Sequence, residues 1–216
     1  VPTMRRAFLF VLALAACAGH APVSTAPQPM ASTAAVARKD IHWFRASAEY
    51  RGIAREVYRD AGDHLAGLTR GMVPGSWAVI LDADETLLDN SLNERRLADQ
   101  GKSYSETEWA AWVRERAATA IPGAVEFTRL VQRMGGRVAI VTNRADSLCA
   151  PTRDNLVKVG VRADIVLCQT GSGDKNARFQ RVADGTAAPG IPALHVVEWI
   201  GDNIQDFPGL TQAIRS

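Results

Sequence analysis

The run Trp77-Ala-Val-Ile-Leu81 constrains this chain more than any other segment, because it ends abruptly in Asp82-Ala-Asp84-Glu85-Thr86. Consecutive apolar residues from Ala78 to Leu81 call for burial on both faces, as in a strand of a parallel sheet covered by helices. Carboxylates just past the C-terminal end of such a strand lie in the crevice where open α/β sheets bind ligands. Two of them one residue apart can divide labour, Asp82 as nucleophile and metal ligand, Asp84 as proton donor and acceptor. An acidic turn has the same composition, so the pair alone does not decide the matter.

Three later segments do. Val138-Ala-Ile-Val141 runs into Thr142-Asn143-Arg144, and His195-Val-Val-Glu-Trp-Ile200 runs into Gly201-Asp202-Asn203-Ile-Gln-Asp206. Between them Gly171-Ser-Gly-Asp-Lys175 is a polar loop with a lysine before a helical stretch. Together they bring a nucleophile, a hydroxyl (Thr142), a cation (Lys175) and a further acidic metal ligand (Asp202) to one sheet edge. Apolar strands are expected at 77–81, 137–142, 163–167 and 194–200, and helices at 124–134, 152–159 and 176–183. That alternation implies an α/β fold, a Rossmann-like parallel sheet with helices on both faces. Tyr50, Ile53, Val57, Ala61, Leu65 and Leu68 fall at helical spacing, so 41–69 reads as one long or broken amphipathic helix. Residues 88–121 lack a clear strand and read as a small, mainly helical cap over the crevice, carrying Tyr104, Trp109 and Trp112.

The order D-x-D-x-T, T-N-R, K and G-D-N-x-x-D resembles the haloacid dehalogenase-like phosphohydrolases. Within them it is similar to the class C acid phosphatases, a group of lipoprotein acid phosphatases and 5′-nucleotidases. The closer match rests on Leu81-Asp-Ala-Asp-Glu-Thr-Leu-Leu-Asp-Asn90, on Trp43 with Ser47-Ala-Glu-Tyr50, on Ile121-Pro-Gly-Ala-Val-Glu-Phe127, and on Asp174-Lys175 with Arg178. The likeness spans roughly residues 40–210. Such proteins usually continue beyond the last loop, so a chain ending at Ser216 is expected to be shortened at its C-terminus.

The resemblance implies a phosphomonoesterase, an acid phosphatase with nucleoside monophosphates among its expected substrates. Mg²⁺ is the expected cofactor, since oxygen-only ligands crowding negative charge suit it. Asp82 would bind it through its side chain, Asp84 through its backbone carbonyl, and Asp202 would complete the set. His20, His42, His64 and His195 are scattered, so no zinc-type cluster competes. Asp82 would attack phosphorus, with Asp84 as acid and then base, while Thr142 and Lys175 hold phosphate oxygens. Asp206 would orient the metal's surroundings. Asn143 and Arg144 are candidates for phosphate contact or for positioning the cap, with local loop bonding as the alternative. Tyr104, Trp109 and Trp112 are candidates for stacking on a nucleobase, with Trp43 and Tyr50 as further candidates. Asn90 and Glu85 read as structural partners of the first loop. Two alternatives stay open: phosphate transfer to alcohol acceptors, and a surface lipoprotein that binds a ligand without catalysis.

Nearly balanced charge, 25 basic residues against 23 acidic ones, gives no argument for a nucleic-acid partner, and none is expected. Arg5 and Arg6 are the charged residues before Cys17, and without them the balance is 25 − 2 = 23 against 23. Those arginines, the apolar Ala7–Ala16 and the lipobox-like Leu14-Ala-Ala-Cys17 read as a signal peptide over 1–16 with lipid attachment at Cys17. Met4 reads as the start. A flexible tether is expected over 17–38, rich in Ala, Pro, Ser and Thr, and the catalytic domain over 39–216. Ala18 after the cysteine implies an exported lipoprotein sorted to the outer membrane, facing the periplasm. Cys149 and Cys168 are expected as free thiols, with a bridge as the alternative.

Overall fold

The structure is a computed structural model and describes residues 33–215. The expected signal peptide, Cys17 and the tether as far as residue 32 lie outside the described residues. Helix is already present at Thr33, so the tether gives way to structure before its expected end at residue 38.

Two helices lead into the sheet, α1 (Thr33–Ala46) and α2 (Ala48–Leu68). The break between them is set by Ser47, whose extended backbone leaves its side chain free to accept the Tyr50 N–H at 2.8 Å. The buried stripe of α2 is Tyr58, Ala61, Gly62 and Leu65, not the wider set read from periodicity; Ile53, Val57 and Leu68 remain exposed. Gly62 decides the geometry, because a Cβ there would meet Leu130 Cδ2 at 2.8 Å. A helix lacking side-chain bulk at that point packs close against its neighbour.

Strand β1 (Trp77–Leu81) is buried along its whole length and forms the sheet centre. It is followed by β2 (Leu88–Asp89), α3 (Ser91–Asp99), α4 (Glu106–Glu115) and β3 (Thr119–Ala120). The segment expected as the cap therefore holds two helices, together with a short antiparallel pair, β2 with β3, that the sequence did not signal. Then come α5 (Ala124–Arg133), β4 (Arg137–Ala145), α6 (Cys149–Lys158), β5 (Ile165–Gln169), α7 (Asn176–Ala183) and β6 (His195–Ile200). The four main strands run parallel in the order β5-β4-β1-β6.

Alternation along β1 builds two cores. Val79 and Leu81 pack with Tyr58, Leu65, Phe127 and Leu156 on one face. Ala78 and Ile80 pack with Phe179 and Val182 of α7 on the other. Two strand boundaries differ from the sequence reading for identifiable reasons. β5 begins at Ile165 because Asp164 takes the Val138 N–H at 2.9 Å with its side chain and Arg137 at 2.8 Å. β4 continues past Thr142 because Ala145 pairs with Gln169 after an irregularity in the ladder.

Cys149 and Cys168 are joined in a disulfide, with Cα atoms 5.8 Å apart, which corrects the expectation of free thiols. Cys149 follows β4 and Cys168 lies within β5, and these strands are neighbours, a fact the linear sequence does not carry. Closing a loop over a separation of 19 residues stabilises by about 3 kcal/mol in the chain-entropy account. Among the described residues no helix is long and apolar enough to cross a membrane.

Candidate functional site

Parallel pairing sets where the polar loops meet. Leu81 lies beside Ile140 of β4 and beside Ile200 of β6, so the residues after each strand leave the sheet on the same side. The Asp82 N–H donates to Ile200 O at 3.0 Å and ties the first loop to the last. Asp82 is buried, 7% exposed, directly beyond the strand. Lys175 stands at the N-terminus of α7, and its buried ammonium donates to Asp82 Oδ1 at 2.5 Å and to Asp206 Oδ1 at 2.6 Å. Asp206 also accepts the Asn203 N–H through Oδ2 at 2.8 Å, closing a capping box over the turn Ile204–Asp206. Gly201 is required there, because a Cβ at that position would overlap the Asp206 carboxylate.

Carboxylate oxygens of Asp82, Asp202 and Asp206 lie within 4.8 Å of one another. With both Asp206 oxygens engaged by Lys175 and the Asn203 amide, Asp82 and the exposed Asp202 are the carboxylates left to meet a cation. Burial raises the Asp82 carboxyl well above the usual carboxylate range; Lys175 opposes this, and Asp84 and Asp206 add to it. Glu85 is likewise pushed up to about 7 by burial, with Asp84 adding. Carboxylates outnumber the nearby cations, and an all-oxygen donor set of this charge fits a hard divalent ion such as Mg²⁺.

The first loop is held in an unusual shape. Glu85 has a positive φ of 51°, which costs energy in a residue with a side chain. Its N–H donates to Leu88 O at 2.9 Å, and its carboxylate accepts the Asn90 N–H at 3.0 Å. Asn90 Nδ2 also reaches Asp84 Oδ1 at 2.8 Å, so Glu85 and Asn90 shape the loop that carries Asp84.

Thr142 is fully buried at the end of the apolar part of β4, and its Oγ1 accepts the Arg144 N–H at 3.1 Å. Asn143 is exposed beside it, with Oδ1 accepting from Arg178 at 2.6 Å. Of the roles open to Arg144, the structure shows contacts within the protein: its buried guanidinium lies on Asp84, with Nη2 to Oδ1 at 2.7 Å, and under the Trp109 ring. Arg144 lies in the last part of β4 and is buried there, and its ion-pair partner is a protein carboxylate. Arg178, which the sequence reading did not single out for the site, is buried and donates to Thr142 O at 2.5 Å. Its spacing of three from Lys175 on one helix was the available signal.

The aromatic candidates separate. Trp112 is 2% exposed and donates Nε1 to Asn90 Oδ1 at 2.8 Å, so it belongs to the core rather than to a stacking surface. Tyr104 is exposed and packs near Trp109, with ring centroids 6.4 Å apart. Trp109 lines a cavity of about 420 Å³ with Phe44, Ile41, Glu85 and Asn90. Trp43 is exposed, whereas Tyr50 is half-buried against Phe44 with centroids 4.8 Å apart. Burial, and then the charges of Asp89, Glu85 and Asp202, push the Tyr50 hydroxyl up to about 12.

Residues 9–216 match the family described as HAD superfamily, subfamily IIIB (Acid phosphatase). Among solved structures, the fold is similar to the class C acid phosphatase from Bacillus anthracis, at 26% identity and a TM-score of 0.71, covering 81% of this chain and 71% of that one. The same Bacillus anthracis enzyme with tungstate bound matches at 26% identity and a TM-score of 0.71, covering 82% of this chain and 73% of that one.

Proposed function

This chain belongs to the subfamily IIIB acid phosphatases of the HAD superfamily, and from that premise we propose a Mg²⁺-dependent phosphomonoesterase that works through an aspartyl-phosphate at Asp82 and accepts nucleoside 5′-monophosphates. Membership makes it a phosphoric monoester hydrolase acting on small phosphomonoesters, which sets aside a non-catalytic ligand binder. The observation that carries the finer reading is that Asp82, Asp84, Thr142, Lys175 and Asp202, from four separate segments of the chain, lie at the same end of the parallel sheet.

Lys175 orients the Asp82 carboxylate and offsets its charge against an anionic substrate. Asp82 attacks phosphorus, the bond to the leaving oxygen breaks, and Asp84 gives that oxygen its proton. Asp84 then removes a proton from water, which attacks phosphorus, and the acyl-phosphate bond breaks to release phosphate and restore Asp82. Thr142 and Lys175 hold the non-bridging oxygens on which charge builds, and Asn143 would add a side-chain contact through its amide N–H. The ion would be held by Asp82, the Asp84 carbonyl and Asp202, with Asp206 orienting its surroundings, and would supply Lewis-acid stabilisation of the phosphoryl oxygens when bound. Bound tungstate in the Bacillus anthracis relative, a tetrahedral oxyanion, supports a phosphate-sized site in this fold.

The nucleotide reading rests on Trp109 and Phe44, which line the cavity with Glu85 and Asn90, and on Tyr104, whose ring lies near Trp109. Stacking a base on such rings contributes about 1–3 kcal/mol. Adenosine 5′-monophosphate is therefore expected to exceed ribose 5-phosphate in kcat/KM by roughly tenfold or more, and a chelator is expected to abolish release from both. Equal kcat/KM for the two would remove the nucleotide preference, and release unaffected by chelation would remove the metal.

Export and lipid attachment at Cys17, with an outer-membrane location facing the periplasm, are part of the same proposal. The Cys149–Cys168 disulfide supports passage through an oxidising compartment. Cys17→Ser is expected to move the protein from the membrane fraction to the soluble fraction. Continued sedimentation with membranes would argue against the anchor.

A further inference from the structure

Arg144 is buried to 1% side-chain exposure, and all three of its guanidinium nitrogens donate to protein oxygens. Nε reaches Asp84 Oδ1 at 3.0 Å and Oδ2 at 3.2 Å, and Nη2 reaches Asp84 Oδ1 at 2.7 Å. Nη2 also reaches Asn90 Oδ1 at 3.2 Å, and Nη1 reaches Thr152 Oγ1 at 3.3 Å. A planar fork held at three points cannot swing, so the carboxylate it grips is fixed in orientation.

The two oxygens of Asp84 are treated unequally. Oδ1 accepts from Arg144 Nη2, Arg144 Nε and, at 2.8 Å, Asn90 Nδ2. Oδ2 accepts the longer arm of the Nε hydrogen bond. The Asn90 amide cannot be turned over, because Trp112 Nε1 is a donor and its partner at 2.8 Å must be the amide oxygen. That leaves Nδ2 facing Asp84. Trp109 covers the guanidinium, with Cζ 5.3 Å from its ring centre, so the arrangement is roofed by the cap helix α4.

We propose that Arg144 is the positioning residue of the proton-transfer step: with Asn90 it clamps Asp84 Oδ1, so that Oδ2 alone meets the leaving-group oxygen and then the attacking water. This rests on the reading of Asp84 as acid and base. It also gives the cap a second task, since Trp109 and Trp112 seat the clamp from above. Arginine is needed rather than any cation, because a lysine ammonium would keep the charge near Asp84 and lose the fork.

The test compares kcat/KM, which covers the steps through phosphorylation of Asp82, for p-nitrophenyl phosphate and for glycerol phosphate. The first leaving group departs without a proton, whereas the second needs one. A positioned general acid contributes on the order of 10²–10⁴. Arg144→Lys is therefore expected to lower kcat/KM for glycerol phosphate by on the order of 10² and for p-nitrophenyl phosphate by less than about tenfold. An equal loss on both substrates, or full rescue by lysine, overturns the proposal. Asp84→Asn is run in parallel: if its loss is equal on both substrates, the acid reading of Asp84 fails on its own account. If Asp84→Asn is selective and Arg144→Lys is not, the clamp fails and the acid reading stands. Should Arg144→Lys lose its fold by circular dichroism, Trp112→Phe removes the Nε1–H that fixes Asn90. A severalfold loss confined to glycerol phosphate is then expected, and an equal loss on both overturns the clamp.

Discussion

Asp82→Asn is expected to eliminate phosphate release, lowering kcat by several orders of magnitude, while the protein stays folded. Removing the nucleophile of a covalent mechanism takes away the step itself rather than a contribution to it. The amide cannot form the acyl-phosphate, and the remaining groups offer no replacement at that position. Stability should hold for a separate reason. Asp82 is buried among acidic neighbours, and burial raises its carboxyl despite the ammonium of Lys175 beside it. Neutralising it relieves that crowding, and Lys175 keeps Asp206 as a partner at 2.6 Å. Phosphate release from p-nitrophenyl phosphate, with thermal unfolding of the same sample, decides the point. Near-normal turnover by a folded Asp82→Asn protein would refute the nucleophile assignment.

Lys175→Met has the second largest expected effect, and it should appear in stability as well as in rate. The lysine side chain is 3% exposed and bridges two carboxylates that are 8% and 4% exposed. Removing one partner of a buried ion pair leaves the other charge uncompensated, at about 3–5 kcal/mol. That loss should be full in the presence of a chelator and partly recovered by added Mg²⁺, because a divalent cation on the same carboxylates replaces the missing positive charge. Phosphate release should fall by on the order of 10² or more even with saturating Mg²⁺, since the donor to the phosphoryl oxygens is gone. Unfolding midpoints measured with chelator and with Mg²⁺ provide the check. A variant whose response to Mg²⁺ equals that of the unaltered protein would show that Lys175 and the metal do not share Asp82.

The parts of the molecule legible in sequence were those written in local order. An apolar run ending in carboxylates marked β1 and Asp82, and a polar loop before a helical stretch marked Lys175 and α7, whose bounds agree with the expectation. The illegible parts depended on which strand lies next to which. Cys149 and Cys168 pair because β4 and β5 are neighbours, and nothing in a separation of 19 residues says so. Trp109 and Trp112 look alike in sequence, three apart on one helix. Packing of α4 against the crevice sends Trp112 into the core and leaves Trp109 at the cavity. The β2–β3 pair was missed because strands of two residues carry no periodicity to read.

The sequence by itself determined the class of fold, the strand ends where carboxylates, hydroxyl and lysine would stand, and the family to which those residues belong, because each is a property of a short continuous segment. Only the tertiary structure decided that Arg144 grips Asp84, that Arg178 supports the Thr142 loop, and that Asp206 is held by Lys175 and its own turn. Most of those contacts join residues separated by tens of positions along the chain. A buried arginine takes whichever anion the fold sets beside it, and a linear pattern does not record that neighbour.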